Sequence, residues 1–189
     1  MSRIQGVQDK WYKGVHYRST LEANTAETLD LLGLPFRYEE RTITLLEGFR
    51  CPYRKDKIRA ITYTPDFLIG DIIIECKGFA TPEWKDKRKY VFKYLMENEP
   101  DTIFYETHDS KKDVLKALDP HWSYLGMAVK VTSKGSKKKP SESKLFDSVA
   151  EAMEELGLKG KALGPIVRSL TGKTEFSYGY KWELIKLKL

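Results

Sequence analysis

The stretch TPDFLIGDIIIECKG, Thr64 to Gly78, decides how this chain is read. Two β-branched and aromatic runs, 61–68 and 72–77, flank the dipeptide Gly70-Asp71, and such runs predict strands. Gly followed by Asp at the two central positions suits a two-residue type II′ hairpin. That turn sets Ile69 opposite Ile72, Phe67 opposite Ile74 and Asp66 opposite Glu75. Directly opposed residues bring their Cβ atoms within about 4.5–5.5 Å on one face of the sheet. Two carboxylates then stand side by side. Lys77 lies two residues beyond Glu75 and points to that same face, while Cys76 points away with Ile74 and Ile72. Like charges in that relation destabilise a strand pair. They also sit in the most apolar part of the chain, where charge is costly unless paired. Lys77 offsets part of the repulsion. A divalent cation offsets more, because carboxylates and water suit Mg²⁺ and Mn²⁺. The plainer reading is an exposed cross-strand charge set with Asp66 in a turn after Pro65.

Upstream, Ser19-Thr20-Leu21-Glu22 has the form of a capping box, so a helix is expected from Ser19 to its stop at Gly33. Residues 36–40 read as a strand and 48–59 as a polar, basic loop. Downstream, 84–97 reads as a helix, 102–105 as a strand, 112–118 as a short helix and 127–131 as a last strand. Residues 133–143, SKGSKKKPSES, have linker composition. Beyond them a second capping box opens at Ser148, and Leu163, Ile166, Val167 and Leu170 repeat at helical spacing. Tyr178, Tyr180 and Trp182 alternate as in a short strand. The organisation read from this is a domain over 1–132, a linker over 133–143 and a small module over 144–189.

Pro65-Asp66, nine residues, then Glu75-Cys76-Lys77 matches the PD-(D/E)xK pattern of a large nuclease superfamily. With Tyr17-Arg18-Ser19-Thr20-Leu21-Glu22, the run from Leu32 to Glu40, Tyr63 to Leu68 and Lys87-Arg88-Lys89, roughly residues 15–95 resemble the phage junction-resolving enzymes called endonuclease I. The resemblance implies an α/β fold, a restriction-endonuclease-like core with a central mixed sheet flanked by helices. It implies that Asp66, Glu75 and the backbone carbonyl of Cys76 hold Mg²⁺, with Mn²⁺ able to substitute. Glu22 would be a third carboxylate, a role compatible with its capping one. Lys77 would orient or help deprotonate the attacking water and stabilise charge on the phosphorane. The segment 48–61 before the Asp strand departs from the family by its length, which bears on substrate preference.

Lys87, Arg88 and Lys89 read either as phosphate contacts or as a solvated helix face. Arg18 and Ser19, ahead of the Glu22 helix, are candidates to hold a phosphate. The run from Phe146 to Ala152, Leu156-Gly157-Leu158, Leu170 to Lys173 and Gly179 to Glu183 resemble the modular DNA-binding repeat appended to homing endonucleases. Its helices would form a helix-turn-helix-like unit whose second helix enters the major groove, with Lys161, Arg168, Ser169 and Lys173 as contacts. A packing or dimerisation appendage is the alternative. Lys137, Lys138 and Lys139 either run along the DNA backbone or belong to a solvated linker.

Composition agrees with a polyanionic partner. The 189 residues carry 33 Lys+Arg against 27 Asp+Glu, net +6, with 41% hydrophobic residues. Of these, 12 basic and 7 acidic residues fall in 133–189, so most of the excess lies there. No run of about 18 apolar residues occurs, so a spanning helix is not expected. Two cysteines, Cys51 and Cys76, argue against a disulfide scaffold and for a reducing cytoplasm, that of a phage-infected or bacterial host. The three histidines are too scattered for a metal site, and no phosphate-binding loop of the G-x-x-x-x-G-K-[ST] type occurs.

The reading that results is a metal-dependent endonuclease acting on double-stranded or branched DNA. It is either site-specific in the manner of homing enzymes or a Holliday-junction resolvase; a DNA-binding protein on an inactive nuclease scaffold is a third reading. A double-strand break by a single-site enzyme needs two active sites, so a homodimer is expected.

Overall fold

The structure, a computed structural model, describes residues 10–53, 56–109, 111–136 and 139–187. Its elements follow turn and cap chemistry closely. Strands β1 (Lys10–Tyr12) and β2 (Val15–Tyr17) form a hairpin whose turn residues Lys13 and Gly14 both take positive φ. Helix α1 (Thr20–Leu31) starts at the Ser19 cap, whose hydroxyl accepts the Glu22 N–H, and ends before Gly33 at φ +71°. There follow β3 (Arg37–Tyr38), β4 (Ile43–Leu46), β5 (Phe49–Arg50), β6 (Lys57–Ile58) and β7 (Ile61–Tyr63). Next come β8 (Phe67–Ile69) and β9 (Ile72–Cys76), then helix α2 (Pro82–Asn98), capped by Thr81, and β10 (Ile103–Thr107). The chain continues through α3 (Lys112–Leu118), β11 (Met127–Ser133), β12 (Ser143–Phe146), α4 (Val149–Glu155), α5 (Leu163–Leu170) and β13 (Tyr180–Lys186).

The chain divides into two compact units: Pro35–His108 is one, and the stretches ending at Leu34 and resuming at Asp109 form the other. In the Pro35–His108 unit a four-stranded mixed sheet has the order β10-β9-β8-β3. The β8–β9 hairpin has the expected register, Phe67 opposite Ile74 and Ile69 opposite Ile72, with Gly70 at φ +57°. A crossover through α2 sets β10 parallel to β9. Leu68 and Ile73 pack under Trp84, Val91 and Leu95 of α2, with Ile43 and Tyr63 in the same cluster.

Residues 61–68 are not one strand. β7 pairs with β4 in a separate two-stranded sheet, and only from Phe67 does the chain join β9. Pro65 explains the break, because it has no N–H to give a ladder. The 48–59 segment, expected as a loop, contains the short β5–β6 hairpin.

In the other unit α1, the β1–β2 hairpin and α3 accompany a three-stranded antiparallel sheet ordered β12-β11-β13. β11 pairs with β13 over seven residues, from Met127–Lys186 to Ser133–Tyr180. β11 also pairs antiparallel with β12, from Val129–Phe146 to Thr132–Ser143, so the segment expected as a linker joins the two strands of a hairpin. The Ser133 N–H donates to Glu142 O, and the Glu142 N–H donates back to Ser133 Oγ. The two compact units divide after Leu34 and after His108, and β11 pairs with both β12 and β13. Asp119 ties the tail in: its carboxylate accepts the Trp122 indole N–H and the Val149 and Ala150 backbone N–H groups. That satisfies two orphan donors at the start of α4.

Candidate active site

The Gly70-Asp71 hairpin, the crossover through α2 and the break at Pro65 bring a set of ionisable groups to one face of the sheet. Asp66 sits one residue ahead of β8, and its Oδ2 accepts the Cys76 N–H at 2.7 Å. The carboxylate thus takes a donor at the end of β9. Glu75 is 2% exposed and Asp66 8%. Glu75 Oε2 accepts the Tyr63 hydroxyl at 2.7 Å, and its Oε1 lies 2.6 Å from Lys77 Nζ. Burial opposes the Lys77 charge, but the neighbouring Glu75 carboxylate outweighs it and holds the ammonium above its ordinary range. Burial, then the Glu75 charge, keeps the Tyr63 phenol protonated far beyond its usual range, so it serves as a permanent donor.

The backbone of Lys77 is fixed as well. Its N–H donates to Thr107 O at 2.9 Å, and its carbonyl meets His108 Nδ1. Lys77 Nζ lies 4.5 Å from the centroid of the Trp84 ring. On the opposite face, as the alternation requires, Cys76 Sγ is buried and meets the Thr107 hydroxyl.

Three participants escaped the sequence reading. Tyr63 enters the sequence reading as a strand residue and as the first of the matched run to Leu68, with no part in the site. Trp84 was read as the start of a helix. Glu106 is the parallel-ladder neighbour of Glu75 and so stands beside it on the same face. Its two oxygens are taken by the Trp84 indole N–H and by Arg88, each at 2.5 Å. No local signal marks Glu106, since its relation to Glu75 exists only once β10 has docked.

Other candidates fall as follows. Arg88, expected among the phosphate contacts, spends its guanidinium on Glu106 because the α2 turn places it over β10. Lys87 is half-buried on α2, and Lys89 is exposed and paired with Asp86. Glu22 is buried in α1 of the other unit, where its carboxylate accepts the Ser19 hydroxyl at 2.8 Å and the Arg18 N–H at 3.1 Å. Its capping role is thus realised. The Arg18 side chain is exposed.

Along the tail, Lys161, Arg168 and Lys173 are exposed. Ser169 is not: it is 6% exposed, its hydroxyl donating to Glu175 O and accepting the Trp182 N–H. Its polar group is used inside the fold, which corrects its expected place at a DNA surface. Lys139 is exposed, while Lys137 and Lys138 lie outside the described residues. One neighbourhood was not anticipated: Lys173, itself 4.0 Å from Glu27, lowers the Lys111 pKa.

Among the described residues no group of three or more His, Cys, Asp or Glu side chains is gathered to hold a metal ion. The donor chemistry of Asp66 and Glu75 nevertheless fits a hard divalent cation. Mg²⁺ is usually bound by one or two carboxylates, with water and substrate phosphate completing its shell. A carboxylate oxygen that accepts one hydrogen bond keeps a second lone pair. No described helix is long and apolar enough to cross a membrane.

No curated protein and no solved structure gives a significant match to the chain. A family profile, phage endonuclease I, matches residues 4–116, well over half of the sequence and including every group just described on the sheet face. The chain belongs to the phage endonuclease I family.

Proposed function

We propose that this endonuclease hydrolyses phosphodiester bonds in DNA with a PD-(D/E)xK site made of Asp66, Glu75 and Lys77, dependent on Mg²⁺ or Mn²⁺. One observation carries the reading: two buried carboxylates sit at the open end of one hairpin, with a lysine ammonium 2.6 Å from one of them. Burying that much charge is costly, and a structural role alone gives no return for it.

Asp66, Glu75 and the Cys76 carbonyl are the groups that would hold the cation. Lewis-acid activation of water and neutralisation of phosphate charge are the chemistry such an ion supplies. Lys77 presents an ammonium to the scissile phosphate, orients the attacking water and stabilises the charge that builds on the phosphorane oxygens. The Tyr63 hydroxyl fixes the direction of the Glu75 carboxylate. Glu22 enters as a third carboxylate through the family resemblance alone.

For substrate selection we propose site-specific cutting of duplex DNA in the manner of homing enzymes. The supporting features are a tail outside the family match with Lys161, Arg168 and Lys173 exposed on it; α4 and α5 are taken as a helix-turn-helix-like pair from the sequence resemblance alone. Selective cutting of branched DNA is the second reading, favoured by the family itself. Two active sites are needed for a double-strand break, so the working form is a homodimer.

The test is cleavage of a randomised duplex library and of a four-way junction of scrambled sequence, with Mg²⁺, Mn²⁺ or EDTA. Recurrent ends from the duplex library support the homing reading, and preferential junction cutting supports the second. Binding without cleavage of any DNA would leave an inactive scaffold. Cleavage undiminished in EDTA would remove the metal.

A further inference from the structure

We infer that Trp84 is a positioning residue for Lys77, and that Glu106 and Arg88 act through Trp84 rather than on DNA. The inference rests on the catalytic reading of Lys77 given above.

Three carboxylates and one lysine compete on this face. Glu75 and Glu106 are direct neighbours in the parallel ladder, on strands spaced about 4.8 Å apart. Lys77 reaches over the same face from the end of β9 and could in principle be drawn to either. Glu106 is withdrawn from that competition, because the Trp84 N–H holds its Oε1 and Arg88 its Oε2. The lysine is left to Glu75.

The same indole that occupies Glu106 offers its ring face to Lys77 at 4.5 Å. A cation over an indole face is attracted by the ring quadrupole, more strongly where water is excluded. Trp84 is 8% exposed, and Tyr63, the donor to Glu75, packs on it with ring centroids 5.9 Å apart. One side chain therefore touches both partners of Glu75 and neutralises the rival of Glu75. The local cause is the Thr81 cap: it starts α2 so that Trp84 falls in the first turn, directly behind the strand that carries Lys77.

The experiment uses the full chain with ¹³C-labelled lysine, the Lys77 Hε signal being assigned by its loss in K77R. In the wild type the Hε protons lie upfield of the other lysines through the ring current of the indole; in W84L they return to the common position. In W84F, which keeps a ring without the N–H, and in E106Q the shift changes in size.

Single-turnover cleavage on the best DNA substrate falls about tenfold in E106Q and W84F and further in W84L, with DNA affinity within about twofold of wild type. In R88M the cleavage rate falls while the salt slope of DNA binding is unchanged; a lost phosphate contact would lower that slope by about 1. An unshifted Lys77 signal in the wild type overturns the inference. So does a folded W84F or E106Q that cuts at the wild-type rate. If W84L does not fold, W84F and E106Q carry the test. If the wild type cuts no DNA, the catalytic reading fails, and the Lys77 signal still decides whether Trp84 holds the lysine.

Discussion

The Tyr63 hydroxyl donates to Glu75 Oε2 at 2.7 Å, and both residues are 2% exposed. A buried carboxylate with a neutral donor on one oxygen and an ammonium on the other is polarised between two fixed partners. The two residues lie in different sheets, so this bond also joins the β4–β7 pair to the main sheet.

Tyr63→Phe leaves a buried carboxylate oxygen without its donor. The expected cost is about 1–3 kcal/mol. Urea denaturation should show a lower midpoint at unchanged slope, and cleavage should slow with it. A variant as stable and as active as the wild type would mean that water replaces the hydroxyl.

Asp66→Ala and Glu75→Ala should each abolish plasmid nicking in Mg²⁺ and in Mn²⁺ while DNA binding, measured in EDTA, persists. Wild-type nicking by either variant would show the site to be elsewhere.

Asp119→Ala removes three hydrogen bonds at once, to the Trp122 indole and to the Val149 and Ala150 N–H groups at the start of α4. Hydrogen bonds to a charged group are worth about 1.5–3 kcal/mol each, not additively, so a loss of about 3 kcal/mol is expected. A melting temperature equal to wild type would contradict it.

The Lys13–Asp30–Tyr12 cluster predicts stability losses at both ends of the pH scale. Hydrogen bonds from Lys13 and Tyr12 hold the Asp30 carboxyl below its ordinary value of 3.8. Its contribution is present above that value and is lost as pH falls through the depressed pKa. Tyr12 is pushed up from 10.0 to about 12, by burial first and then by Asp30. Its contribution is complete below about pH 10 and disappears as pH climbs through 12. Asp30→Asn should flatten the acid limb of a denaturant midpoint against pH, and phenolate absorbance should show its Tyr12 titrating earlier.

Lys111→Ala and Lys173→Ala should weaken DNA binding. Lys173 lowers the Lys111 pKa, and Glu27, 4.0 Å from Lys173 Nζ, offsets only part of that repulsion; a phosphate beside both lysines would offset more. Each substitution should lower the slope of log affinity against log salt by about 1. Unchanged slopes in both would place the DNA backbone elsewhere.

Much of the fold was legible where a few adjacent residues settle the backbone. Gly70-Asp71 set the turn and with it the β8–β9 register. Ser19 with Glu22, and Ser148 with Glu151, started α1 and α4, which Gly33 and Gly157 stopped at positive φ; Gly172 did the same for α5. Asp66, Glu75 and Lys77 could be named from that local register, since a two-residue turn leaves the pairing no freedom.

What tertiary structure alone decided is the company those residues keep. Glu106 reaches Glu75 from 31 positions away through a helical crossover, and Arg88 turns to that carboxylate instead of to solvent. β12 pairs with β11, so the Ser/Lys-rich stretch becomes a hairpin connection, and β13 returns to β11's other edge while Ser169 is drawn inside. The register of such distant pairings is chosen by how apolar faces pack once the chain has closed on itself, and no short stretch of sequence encodes it.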